Sequence, residues 1–248
     1  MAQETKSTTI DPDDVANFVK IAEQWWDPKG KFAPLHKFNP IRLKYIREKL
    51  FEHFALEQSA APYKGLRILD IGCGGGLLTE PISRLGADII GADAAEKNIK
   101  IASAHAMDQG LEIDYRATTS EELAEAGEQF DVILNMEVIE HVANVPLFLS
   151  SCHQMLKPGG IMFIATLNRN LKSFAFAIIG VEYVLGWLPK GTHNWSKFII
   201  PAELQAMNEA LGLTMVDETG VKYNPLSDKF SLNRDKSINY IQLYKKDA

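Results

Sequence analysis

The chain has 248 residues, 46% apolar and 23% charged, enough for one large α/β domain with additions. A net charge of −6 and a pI near 5.6 argue against nucleic acid as a partner, because phosphate-backbone binding leaves a basic footprint. Two isolated cysteines, Cys73 and Cys152, form neither a CxxC pair nor a zinc spacing, which fits a reducing cytoplasm.

The opening MAQETKSTTIDPDD is polar and acidic, so no secretory signal is expected, and residues 1–10 read as disordered. Asp11 before Pro12 reads as an N-cap with proline at the first helical position. Val15, Phe18, Val19, Ala22, Trp25 and Trp26 then recur at helical spacing. DPKGKFAPLHKFNP breaks that helix and residues 41–54 resume one, giving an α-helical extension over 11–60. In residues 61–248 the pattern changes. RILDIG, ADIIGAD, IDYRAT, FDVILNM and IMFIATL are short, branched apolar runs alternating with helical stretches such as 98–109 and 145–156. That alternation predicts an α/β fold, a parallel sheet covered on both faces. LTMVDETGVKYN and NYIQLYKK read as two strands pairing antiparallel at the sheet edge, and residues 168–200 as an insert before the last helix.

LDIGCGGG places Gly72, Gly74 and Gly76 directly after the first strand, allowing a tight turn and close backbone approach to a nucleotide-like ligand. Asp70, two residues ahead, would repel a pyrophosphate but favour a cationic sulfonium. Its other reading is a partner for the N-terminus of the following helix. Asp93 ends the second strand, where an acid accepts ribose hydroxyls. Two acids and no anion clamp favour S-adenosyl-L-methionine over a dinucleotide. A dinucleotide oxidoreductase is the rival that Asp70 opposes.

LDIGCGGG, GAD, FDVILNMEVIEHV and LKPGG resemble the successive motifs of class I S-adenosylmethionine-dependent methyltransferases. WWDPKGKFAPLHKFNPIRLKYI, MEVIEHV, TLNRN, PKGTHNWSKFI and PAEL further resemble the ubiquinone-biosynthesis O-methyltransferase family over nearly the whole chain. The resemblance implies a Rossmann-like, seven-stranded, mostly parallel sheet and O-methylation of polyprenylated catechol or hydroquinone intermediates at both methylation steps. It implies cytoplasmic location with peripheral attachment to the inner membrane, and other ubiquinone-synthesis enzymes as partners. It assigns Arg42 to the cofactor's carboxylate, Gly72 to the methionine moiety, Gly74 to the cofactor, Asp93 to the ribose and Met136 to the cofactor's side, with Thr118 and Thr119 near the adenine. Read from the residues alone, Arg42 is a surface position on an amphipathic helix and Met136 a core filler. The competing functions are methylation of another lipophilic phenol, or a non-catalytic lipid-surface module on this scaffold.

EVIEH places Glu137, Glu140 and His141 just past the fourth strand, and in a helix these share one face. Methyl transfer requires alignment of the acceptor and removal of its phenol proton, whose pKa is about 10 as for tyrosine. His141 and Glu140 are the candidate catalytic residues, His141 acting as general base oriented by a nearby carboxylate. Alternatively Glu137, Glu140 and His141 hold Mg²⁺ on the catecholic oxygens, as the resemblance to eukaryotic relatives implies. A similar Glu-His pair also follows this strand in metal-free methyltransferases.

Residues 173–191, SFAFAIIGVEYVLGWLPKG, hold an apolar run over 174–188 whose one charge is Glu182, bracketed by Arg169, Lys172 and Lys190. The run is shorter than the roughly 20 residues that span a bilayer. It reads as a buried helix or lid, and also as a cover contacting an anionic membrane surface where a polyprenylated substrate resides.

Overall fold

The computed structural model describes residues 8–174 and 195–248. The chain enters through α1 (Pro12–Ile21), whose first turn is capped by the Asp11 carboxylate accepting from the Asp13 amide at 3.1 Å. A 3₁₀ turn over Ala22–Gln24 leads to α2 (Ala33–Phe54). α2 begins well before Ile41, the start expected from sequence. Pro34 sits in its first turn, where no intrahelical N–H is needed, and Pro40 is carried inside it. Thr8 to Ile10 are likewise held and not disordered. The Glu121 carboxylate accepts from the Thr9 amide at 2.9 Å and its hydroxyl at 2.6 Å.

The α/β region follows as β1 (Arg67–Ile71), α3 (Thr79–Ser83), β2 (Asp88–Asp93), α4 (Glu96–Asp108), β3 (Asp114–Ala117), α5 (Ser120–Glu125), β4 (Phe130–Met136), α6 (Val145–Met155) and β5 (Leu156–Leu167). After the short α7 (Leu171–Ser173) and a 3₁₀ turn at Trp195–Lys197 come α8 (Pro201–Ala210), β6 (Leu213–Asn224), β7 (Lys229–Asn233) and β8 (Asn239–Lys246). The strand order is β3-β2-β1-β4-β5-β8-β6-β7, with β1 to β5 parallel and β6 to β8 antiparallel. β1 pairs with both β2 and β4, so the chain reverses direction across the sheet at β1. In open α/β sheets the crevice at such a reversal, beyond the carboxyl ends of the strands, is where ligands bind.

The sheet has eight strands, against the seven expected. The last two expected strands do pair, from Leu213↔Lys246 to Val221↔Asn239. β8 nevertheless lies inside the sheet beside β5, and the intervening segment supplies the edge strand β7. Phe230 and Leu232 of β7 pack on the same apolar cluster as α2, and Phe230 stacks on Phe38 with centroids 5.0 Å apart. That burial turns a sequence that reads as loop into a strand.

Strand residues alternate between two cores. Ile68, Leu134 and Phe163 face α2 with Tyr45, Ile46 and Leu50, whereas Leu69, Ile133 and Ile164 face α6 with Phe148 and Leu149. The helical extension and the α/β region therefore share one of these cores. Among the described residues, no helix is long and apolar enough to cross a membrane. The membrane-contact expectation for 173–191 falls almost wholly outside the described residues. The two residues of that stretch that are described are buried Ser173 and Phe174, which is 39% exposed.

Candidate active site

A cavity of about 250 Å³ lies at the carboxyl ends of β1, β2 and β4, roofed by α1 and the start of α2. Every residue assigned to cofactor from sequence lines it: Arg42, Asp70, Gly72, Gly74, Asp93, Thr119 and Met136. Glu137, Glu140 and His141 line it too.

The glycine turn shows why it admits no side chain. Gly72 has φ +72° and a Cβ there would meet Val138 at 2.4 Å; Gly74 has φ +56° and a Cβ would meet Trp25 at 2.3 Å. Trp25 comes from the N-terminal extension, stacks on Phe32 at 3.6 Å and donates from Nε1 to Asn98 Oδ1 at 2.9 Å. The neighbouring Trp26 donates to the Gly75 carbonyl at 2.9 Å. The extension therefore clamps the loop against α4.

Asp93 braces the same loop. One carboxylate oxygen accepts from the Gly74 amide at 3.0 Å, the other from the Ala95 amide at 2.8 Å and Asn98 Nδ2 at 3.1 Å. Each oxygen of a carboxylate can accept again, so these bonds orient Asp93 without exhausting it. Burial still raises its pKa. Asp70 accepts from the Thr79 hydroxyl at 2.6 Å, and burial pushes its carboxyl up to about 6. The helix-partner reading of Asp70 is thus present in part, since Thr79 opens α3, and Asp70 also lines the cavity. Thr119 caps α5 in a reciprocal box with Glu122, whose carboxylate also accepts from the Thr118 hydroxyl at 2.8 Å.

Arg42 lies 4% exposed and its surface reading is overturned. Its Nη2 donates to Asn39 Oδ1 at 2.9 Å, while its Nε has no partner in the structure. Burial lowers its pKa, and Glu137 and Asp70 act in the opposite direction. A buried guanidinium with an unused donor, on a residue that lines the cavity, is suited to a carboxylate guest.

The EVIEH segment departs from expectation. Glu137 takes φ +63° and its carboxylate accepts from Asn239 Nδ2 at 3.1 and 3.2 Å. Ile139–His141 form a single 3₁₀ turn, not an α-helix, so the three side chains do not share a face. Glu140 is buried and accepts from the Thr166 hydroxyl at 2.8 Å. His141 instead meets the Asp14 carboxylate of α1, with Nδ1 to Oδ2 at 3.8 Å, and the edge of Phe18 at 5.0 Å between ring centroids. The carboxylate beside the imidazole is therefore Asp14, which the sequence reading left unnamed. Among the described residues no three His, Cys, Asp or Glu side chains are grouped to hold a metal ion. A hard cation needs ionised oxygens converging on one point. The differing engagements of Glu137, Glu140 and His141 do not fit Mg²⁺.

Burial, reinforced by Glu137, raises the Glu140 carboxyl to about 8, so the folded protein retains a proton that the unfolded chain releases near 4.5. The stabilisation this gives is complete below 4.5 and is lost as pH rises to about 8. Glu140→Gln removes that titration and keeps an acceptor for Thr166. Urea melts should show variant and wild type converging near pH 4.5 and the variant gaining relative stability towards pH 8. A constant gap across that range would show that Glu140 is not held protonated.

Asp14, Phe18, Trp25, Phe32 and Asn98 also line the cavity and were not assigned from sequence. Asp14 reads only as an acid in a first helical turn, Phe18 and Trp25 only as one helix's apolar stripe, and Phe32 only as part of the break after it.

A strand reversal at β1, a glycine turn braced by an acid and a cavity roofed by an N-terminal helix together define a class I methyltransferase. The methyltransferase-domain family model matches residues 42–218. The chain resembles the magnesium protoporphyrin IX methyltransferase of Synechocystis, solved with bound S-adenosylhomocysteine, with TM-score 0.63 and 17% identity over 93% of this chain and 94% of that one. Among sequence relatives, the ubiquinone biosynthesis O-methyltransferase of Parvibaculum lavamentivorans is 60% identical over 98% of this chain and 96% of its own length. The enzyme of the same name from Brucella anthropi is 57% identical over 99% of both chains. The chain belongs to the ubiquinone biosynthesis O-methyltransferase family.

Proposed function

We propose that this chain catalyses S-adenosyl-L-methionine-dependent O-methylation of polyprenylated catechol and hydroquinone intermediates, at both O-methylation steps of ubiquinone biosynthesis. The observation that carries the chemistry is one cavity faced both by Arg42, Asp70 and Asp93 and by His141. Family membership carries the substrate class. When bound, S-adenosyl-L-methionine supplies an electrophilic methyl on positive sulfur; the acceptor oxygen forms the new C–O bond as the C–S bond breaks and its electron pair stays on sulfur.

The chain's own groups divide the work. Arg42 takes the cofactor's carboxylate, Asp93 the ribose hydroxyls, and Asp70 offers negative charge to the cation. His141 accepts the phenol proton as general base. Phe18 and Val15 wall the cavity on the α1 side, where an aromatic acceptor can lie flat. No step requires a metal here, and turnover should survive a chelator.

A mass-spectrometric methyl-transfer assay over prenylated catechols, hydroquinones and simple phenols tests the reading. Transfer to the prenylated diols with release of S-adenosylhomocysteine supports it, and transfer to none of them overturns it. Delivery of the acceptor from an anionic membrane surface through residues 173–191 is proposed on sequence grounds, as is peripheral attachment to the inner membrane. Failure of the intact protein to float with anionic liposomes at low salt would remove that part alone.

A further inference from the structure

We propose that Asp14, on the N-terminal helix, is a positioning residue for methyl transfer: it holds the Nδ1 edge of His141 so that Nε2 meets the acceptor hydroxyl. The inference rests on the reading of His141 as general base.

The placement of Asp14 is over-determined. The Ala143 amide donates to the Thr9 carbonyl at 2.8 Å, seating the start of the extension on the segment just past His141. Glu121 holds Thr9 from α5. Lys197 Nζ then bridges Asp11 at 2.9 Å and Asp14 at 2.5 Å, tying the first turn of α1 to the segment leading into α8. Phe18, one turn further along α1, sets its ring at 89° to the imidazole. The imidazole is thus bordered on one side by a carboxylate and on another by an aromatic edge, both from the same helix.

The chemistry follows from that border. A neutral imidazole can act as base at one nitrogen only if the proton sits on the other, and a carboxylate at Nδ1 selects that tautomer. Partial burial pushes the Asp14 carboxyl up, but the hydrogen bond from Lys197 and the nearby His141 imidazole hold it below the usual carboxylate range, so Asp14 stays ionised. The 3.8 Å separation is longer than a hydrogen bond, and base–orienter contacts of this kind tighten when the acceptor is bound. As the imidazole gains the phenol proton on Nε2, the Asp14 charge stabilises the cation that forms. α1 is therefore part of the reaction machinery and not only a cover, a role that sequence alone cannot assign to an acid in a first helical turn.

The test is steady-state kinetics on the full chain with saturating S-adenosyl-L-methionine and a short-chain prenylated catechol. Asp14→Asn should lower kcat about 10- to 100-fold, a loss of orientation and of charge on a half-buried dyad. Cofactor affinity by calorimetry should stay within twofold, because Trp25 and the glycine loop remain in place. Asp14→Glu should recover part of the loss. In a His141→Gln background Asp14→Asn should have no further effect, since there is no imidazole left to hold. If Asp14→Asn weakens cofactor binding as much as it lowers kcat, or costs the same in the His141→Gln background, Asp14 acts on the fold and the inference is wrong. If His141→Gln turns over at the wild-type rate, the base reading fails, and this inference with it. If His141→Gln is crippled while Asp14→Asn is not, only this inference fails.

Discussion

His141→Gln is expected to lower kcat by about 10²- to 10⁴-fold at neutral pH, the range for loss of a general base. The acceptor phenol has a pKa of about 10, so only about one part in 300 is ionised at pH 7.5. Without a base the variant must draw on that fraction. Its rate should therefore climb about tenfold per pH unit towards the phenol pKa, whereas the wild type should level off once its imidazole is neutral. Glutamine occupies similar volume beside Phe18 and Asp14, so the fold and cofactor affinity should survive. The measurement is kcat/KM against pH for both proteins with one soluble catechol. A variant whose profile parallels the wild type at a reduced height would show that His141 positions the acceptor and does not take its proton. An unreduced rate would show that it does neither.

What the sequence disclosed and what it hid divide along a physical line. The runs RILDIG and FDVILNM became β1 and β4 because strands buried on both faces are written as unbroken branched residues, a signal needing no tertiary context. Gly72, Asp70 and Asp93 were legible for a related reason: the turn after the first strand and the carboxyl end of the second have few solutions, so their residues carry their own geometry. Arg42, reached only through the family resemblance, and Asp14, not reached at all, could not be placed from their own residues because each owes its position at the cavity to docking. The same helical periodicity suits a surface arginine and one 4% exposed. Nothing near Asp14 in the chain marks it as a neighbour of His141, 127 positions on. EVIEH misled in the other direction. Spacing that would place three ligands on a helical face carries no such meaning when Glu137 turns to positive φ and the next residues close a 3₁₀ turn. The edge strand β7 escaped notice because its pairing is decided by Phe38 and α2, not by its own five residues.

Arg42→Met should separate binding from stability by moving them differently. The guanidinium is buried, with one hydrogen bond to Asn39 and an unpartnered Nε, and burial is the largest influence on its charge. In the ligand-free protein that desolvated cation is compensated only partly, by Glu137 and Asp70. Methionine keeps the aliphatic volume and a sulfur contact for Phe38, whose ring now lies 5.0 Å from the guanidinium carbon. The apo melting temperature should therefore hold or rise. Binding should suffer, because removing one partner of a buried ion pair costs about 2–5 kcal/mol, much of it the stranded charge of the other. For the cofactor's carboxylate that is about a 30- to 5,000-fold rise in Kd. Ligand stabilisation follows RT ln(1 + [L]/Kd), so a concentration giving about 2.7 kcal/mol in the wild type leaves about 0.4 kcal/mol after a 100-fold loss. Thermal melts with and without S-adenosyl-L-methionine read both quantities in one experiment. A fall in the apo midpoint with the ligand-induced shift intact would make Arg42 a structural residue of the α2 core. A lost shift on an unchanged apo midpoint would place it on the cofactor.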